Sequence, residues 1–127
     1  MNRSTLRIAV VAAALFAASG VTWLRAATVA PKGYVIAEIT VTDPEAYKQY
    51  AAAVVPIVAK LGGRYLVRGG QTAAVEGEPP AGRIVVIEFE TLAAARAFED
   101  SADYQAVAAL RQKAARSRVF LAEGTAQ

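Results

Sequence analysis

Two carboxylates, Glu38 and Glu88, fall in strand-like stretches where every second residue shares a face. In the first stretch Tyr34, Ile36, Glu38 and Thr40 form one set; in the other Ile84, Val86, Glu88 and Glu90 do. On adjacent central strands in a partly dry cleft, two such carboxylates repel each other. One pKa then rises, and the pair supplies general acid–base groups. The competing reading is structural. Arg64 and Arg68 alternate onto one face of a neighbouring strand, where they neutralise both carboxylates as ion pairs. Arg68-Gly69-Gly70 adds a second chemistry, a guanidinium beside open backbone N–H groups that suit an anionic ligand. Its plain alternative is a strand bend that glycine alone tolerates. Tyr104 and Arg111 lie two turns apart and share a helix face. They either close the edge of a pocket or pack, with Arg111 in a salt bridge. Tyr50 is a candidate ligand contact, although with Tyr47 it shares the apolar stripe of a helix, which points first to the core.

Other chemistries are excluded by composition. The 127 residues contain no histidine and no cysteine. Imidazole bases, Ser-His-Asp triads, thiolate nucleophiles, disulfides, Fe–S clusters and His-ligated zinc or haem are therefore out of reach. No run of carboxylates has calcium-loop spacing. We expect no metal site and no cofactor. The formal charge of +3 does not indicate a nucleic-acid surface. Arg3, Arg7 and Arg25 precede Ala27 with no acidic residue among them. Without these three, the fourteen basic residues become eleven, against eleven acidic ones. A near-neutral domain lacks the clustered Lys and Arg that displace counterions from phosphates.

The basic stretch Met1–Arg7, the uncharged stretch Ile8–Leu24 and the small residues at Ala26-Ala27 form the pattern of a secretory signal over residues 1–26. The alternative is an uncleaved inner-membrane anchor over residues 8–24. Its seventeen residues are short for a bilayer span, rich in alanine and interrupted by Ser19-Gly20. A periplasmic or secreted location is the expectation. Residues 27–33 read as a linker and 124–127 as a tail.

Between them the elements alternate. Tyr34–Val41 is rich in β-branched residues and predicts a strand. Asp43-Pro44-Glu45 opens a helix with a cap, a proline suited to the first position, and a charge at the positive end of the dipole. Tyr47, Tyr50, Val54, Ile57 and Leu61 trace its apolar face, and Gly62-Gly63 ends it. Arg64–Arg68 predicts a second strand, with a bulge or bend at Gly69-Gly70 and pairing resumed over Thr72–Val75. After a turn over residues 76–82, Arg83–Glu90 predicts a third strand. Thr91 and Ser101 cap two consecutive helices, and Arg116–Ala122 forms a last strand. The order βαββαβ, with two right-handed crossovers joined by a hairpin, gives a ferredoxin-like α+β sandwich over residues 34–123. Its sheet has four antiparallel strands with the helices on one face. The other face, carrying Ile36, Ile84 and Val86, is still half apolar and marks an interface. Two such sheets face to face form a dimeric α+β barrel.

The residues Gly62-Gly63-Arg64-Tyr65-Leu66-Val67-Arg68-Gly69-Gly70, Glu76-Gly77, Val85-Val86-Ile87-Glu88-Phe89, Ser101-Ala102-Asp103-Tyr104-Gln105 and Arg111 resemble the family called domain of unknown function 1330. The resemblance covers about Lys32 to Glu123. It implies the dimeric α+β barrel superfamily, which includes cofactor-free monooxygenases, small-molecule lyases and isomerases, and proteins without known activity. No catalytic role carries over. Three functions follow from the sequence. The first is a homodimer that binds a small, partly apolar or anionic molecule between sheet and helices, through Arg64, Arg68, Gly69, Gly70, Tyr50, Tyr104 and Arg111. The second is a cofactor-independent small-molecule enzyme, monooxygenase-, isomerase- or lyase-like, with Glu88 or Glu38 as proton shuttle and Arg68 holding the substrate. The third is an assembly protein without a ligand.

Overall fold

The computed structural model describes residues 26–127. The export signal, its cleavage and the anchor alternative fall almost entirely on residues outside this range. Among the described residues, no helix is long and apolar enough to cross a membrane.

The chain runs β1 (Gly33–Val41), α1 (Pro44–Lys60), β2 (Arg64–Arg68), β3 (Arg83–Phe89), α2 (Leu92–Asp100), α3 (Ala102–Ala114) and β4 (Ala115–Glu123). The sheet order is β2-β3-β1-β4, with every neighbouring pair antiparallel. This is the ferredoxin-like α+β sandwich that the alternation of elements implies. Strand parity decides which side is covered. Val35, Ala37 and Ile39 of β1 and Val85, Ile87 and Phe89 of β3 are buried under the helices.

Local chemistry sets the helix ends. Asp43 accepts from the Ala46 N–H at 3.1 Å to open α1, and Thr91 accepts from the Ala94 N–H at 3.0 Å to open α2. Ser101 separates α2 from α3: its Oγ donates to the Phe98 carbonyl at 2.8 Å and accepts from the Tyr104 N–H at 3.2 Å. Gly62, at φ +82°, ends α1, and the Gly63 N–H reaches back to the Val58 carbonyl at 2.8 Å. The buried stripe of α1 is Tyr47, Tyr50, Val54 and Val58, with Ile57 and Leu61 only half-buried. Over four turns the 3.6-residue period moves the inward position on to Val58. Phe89, Phe98 and Tyr104 stack in sequence, with ring centroids 5.1 and 4.4 Å apart, and join sheet, α2 and α3. Burying Phe89 and Phe98 contributes roughly 1.5–3 kcal/mol each.

Two expectations about β2 are corrected. The irregularity lies between Tyr65 and Val67 rather than at Gly69-Gly70. Pairing does not resume over Thr72–Val75: residues 69–82 form no strand and are exposed, with Val75 97% exposed. β2 is an edge strand, and Thr72-Ala73-Ala74-Val75 brings too little apolar surface to a ladder to offset the entropy of ordering it.

Candidate functional site

The β2 irregularity has a direct chemical consequence. Arg64 stands opposite Glu88, on the face away from the helices. The bulge then inserts one residue, so that Val67 stands opposite Val86 and Arg68 opposite Val85. Since Val85 faces the helices, Arg68 does too. The expectation that Arg64 and Arg68 share a face is therefore wrong, because a bulge inverts the parity of every residue beyond it.

On the open face the register builds three rows. Val67, Val86, Ile36 and Phe120 stand side by side across all four strands. On one flank Arg64 donates to Glu88 Oε1 at 2.8 Å, with the Tyr34 hydroxyl 3.4 Å from Oε2. On the other, Arg118 donates to Glu38 Oε1 at 2.9 Å. The two carboxylates do not face each other: Glu88 is paired with Tyr34 of β1, and Glu38 with Ile84 of β3, four residues along the ladder. They do not form the repelling pair that the sequence suggests. The hydrogen bond from Arg64 holds the Glu88 carboxyl below its ordinary range, against a smaller opposing effect of burial. Glu38 is neutralised by Arg118 rather than by Arg68. This geometry suits cross-strand ion pairs better than a proton-transfer couple.

The remaining candidates gather on the other side of the sheet. Between sheet and helices lies a depression of about 500 Å³ counted out to its open mouth, with an inner void of about 30 Å³. It is lined by apolar strand residues and by the rings of Tyr47, Tyr50, Tyr65 and Tyr104. Arg68, Arg83 and Arg111 also reach it, and no carboxylate does. α1 supplies Tyr47 and Tyr50, whose ring centroids are 5.5 Å apart. α3 supplies Tyr104 and Arg111, and their hydrogen bond, Arg111 Nη2 to the Tyr104 hydroxyl, is 3.4 Å long. Arg111 is 7% exposed, its guanidinium lies 5.7 Å from the Tyr50 ring centroid, and its Nε has no hydrogen-bond partner among the described residues. Burial disfavours its charge, but the neighbouring Tyr104 and Tyr50 oxygens outweigh that effect and leave its pKa above the ordinary value. Burial also pushes the Tyr50 phenol well up, and those of Tyr47 and Tyr65 less far, so all three stay protonated at neutral pH.

Arg68 bridges the mouth. Its Nη2 donates to the Ala51 carbonyl of α1 at 3.2 Å, and its guanidinium lies 4.9 Å from the Tyr65 ring centroid. Gly69 does not offer an open N–H to a ligand, because that group donates to the Ile84 carbonyl at 2.8 Å. Gly69 serves differently: at φ +69° it leaves room for the Arg83 guanidinium, which a Cβ would meet at 2.4 Å. Gly70 has nothing within 4 Å of its Cβ position and lies outside the lining. The sequence patterns above do not single out Arg83 as a site residue, yet it carries a signal. It shares the inward parity of Val85, Ile87 and Phe89, and a charged residue in that set calls for a partner.

Residues 32–125 match the family described as Domain of unknown function (DUF1330). The chain belongs to the DUF1330 family. Two crystal structures of the RPA0582 protein of Rhodopseudomonas palustris, one of them methylated, are similar to this DUF1330 chain at 19% identity. Both cover 80% of it; the TM-scores are 0.60 and 0.59, over 86% and 88% of those chains. A dimeric ferredoxin-like protein of unknown function from Thermobifida fusca is similar at 17% identity and TM-score 0.54, over 74% of this chain and 92% of that one. At these identities the likeness concerns the fold of the DUF1330 domain alone. No curated protein matches the chain.

Proposed function

We propose that this DUF1330 protein binds a small organic anion with an apolar body in the depression between sheet and helices, as a homodimer closed through its open sheet face. The observation that carries the reading is Arg111, a buried guanidinium with no carboxylate within salt-bridge distance among the described residues. Arginine stays protonated at any physiological pH, so its charge is not relieved by losing a proton. The Tyr104 and Tyr50 oxygens hold the guanidinium charged against burial but bring no full negative charge to neutralise it, and an anionic ligand in the depression supplies one. The apolar walls and four phenol rings favour a ligand body that is flat or greasy. The inner void holds about one or two waters, so a larger ligand enters by displacing Arg68, whose single bond to Ala51 is exposed.

The dimer rests on the row Val67–Val86–Ile36–Phe120, an apolar strip with Phe120 44% exposed and ion pairs on both flanks. Strips of this kind are covered in stable proteins, and the Thermobifida fusca neighbour is described as dimeric. The basic and uncharged residues before Ala27 support export to the periplasm or beyond. Trp23 is the only tryptophan, so the processed protein would lack tryptophan fluorescence.

Calorimetric titration with benzoate tests the binding reading. Saturable binding that is lost in Arg111→Met is the expected result. No heat from benzoate or from terephthalate would remove it.

A further inference from the structure

Resting on that reading, we propose that the ligand is a dianion, with two anionic groups at opposite ends of a flat or apolar body, the second held by Arg83. The geometry is a chain of contacts. Arg83 of β3 lies 5.3 Å from the Tyr47 ring centroid, the Tyr47 and Tyr50 rings are 5.5 Å apart, and Tyr50 lies 5.7 Å from Arg111 of α3. The ring pair thus links two guanidiniums that line one depression, one against each ring. Each has a buried Nε without a hydrogen-bond partner, and neither has a carboxylate within salt-bridge distance among the described residues. Arg83 is otherwise held by a 3.4 Å bond from Nη2 to the Arg68 carbonyl and by the space that Gly69 leaves it. Ring faces compensate a cation only partly. One negative charge satisfies Arg111 and leaves Arg83 unanswered. A ligand anionic at both ends answers both, with its body across Tyr47 and Tyr50.

The test compares two probes on the same ring, benzoate and terephthalate, by calorimetric titration of the chain at fixed ionic strength. Terephthalate binding about tenfold tighter than benzoate, with the ratio falling to about one in Arg83→Met, is the expected result. If Arg83→Met does not fold, Arg83→Gln makes the same comparison. Benzoate bound and terephthalate no tighter would overturn the dianion and leave the monoanion reading standing. A tenfold ratio that survives both Arg83 variants would overturn the assignment of Arg83. Binding of neither probe would overturn this inference together with the reading beneath it.

Discussion

The Arg111 guanidinium and the Tyr104 hydroxyl meet at 3.4 Å across two turns of α3, in a place where the arginine is 7% exposed and, among the described residues, has no carboxylate within salt-bridge distance, although it is close enough to attract that of Glu99. Such a pair is poor for stability and well suited to binding. Replacing a buried cation with an apolar side chain of similar length is often neutral or stabilising. Arg111→Met is therefore expected to leave stability unchanged or raise it by up to about 2 kcal/mol in urea unfolding. It should also weaken benzoate at least about tenfold, since a charge-assisted bond is lost. A marked loss of stability would mean that the cation is an internal strut instead.

The glycines after Arg68 separate two roles. Gly69→Ala places a Cβ on the Arg83 guanidinium at a backbone conformation that side chains rarely adopt. It should cost about 1–2 kcal/mol and move Arg83 out of the depression. Gly70→Ala meets nothing and should stay within about 0.5 kcal/mol of the parent. Thermal melts of the two variants, with terephthalate titrations, check both statements.

Acid sensitivity follows from Arg64 and Glu88. The folded carboxyl titrates below its ordinary range, chiefly through the Arg64 hydrogen bond. Its contribution to stability is thus present above that ordinary range and is lost as pH falls through the lowered value. In Arg64→Ala the Glu88 titration, followed by carboxyl NMR, should move back up. The stability gap between variant and parent should close at low pH.

Glu99 behaves in the opposite sense. Burial raises its pKa against the smaller attraction of Arg111, and among the described residues its Oε1 has no hydrogen-bond partner. A raised folded pKa favours the fold below the ordinary carboxylate range, and that advantage disappears as pH rises through the raised value. Glu99→Gln should melt higher than the parent at neutral pH, and the difference should shrink on acidification.

Phe120→Glu sets a charge in the apolar row of the open face. If the proposed dimer forms through this face, sedimentation should show the parent as a dimer and the variant as a monomer at the same concentration. A half-exposed site should leave the domain itself within about 0.5 kcal/mol of the parent. An unchanged sedimentation coefficient would place the dimer contact elsewhere.

The element order, the helix caps at Asp43, Thr91 and Ser101, and the inward sets of β1 and β3 were legible in the sequence, because each follows from contacts within a few residues or from a fixed period. The absence of histidine and cysteine ruled out whole classes of chemistry without any coordinates. Only the tertiary structure decided where the charged groups act. Glu38 meets Arg118 across 80 residues, and Arg83 joins Arg111 from a distant strand in one depression. One inserted residue after Tyr65 carries Arg68 to the helix side while Arg64 stays on the open face. Periodicity reports the side a residue takes while the register holds. Neither a bulge nor a partner far along the chain leaves a periodic trace, since both are settled by packing between elements.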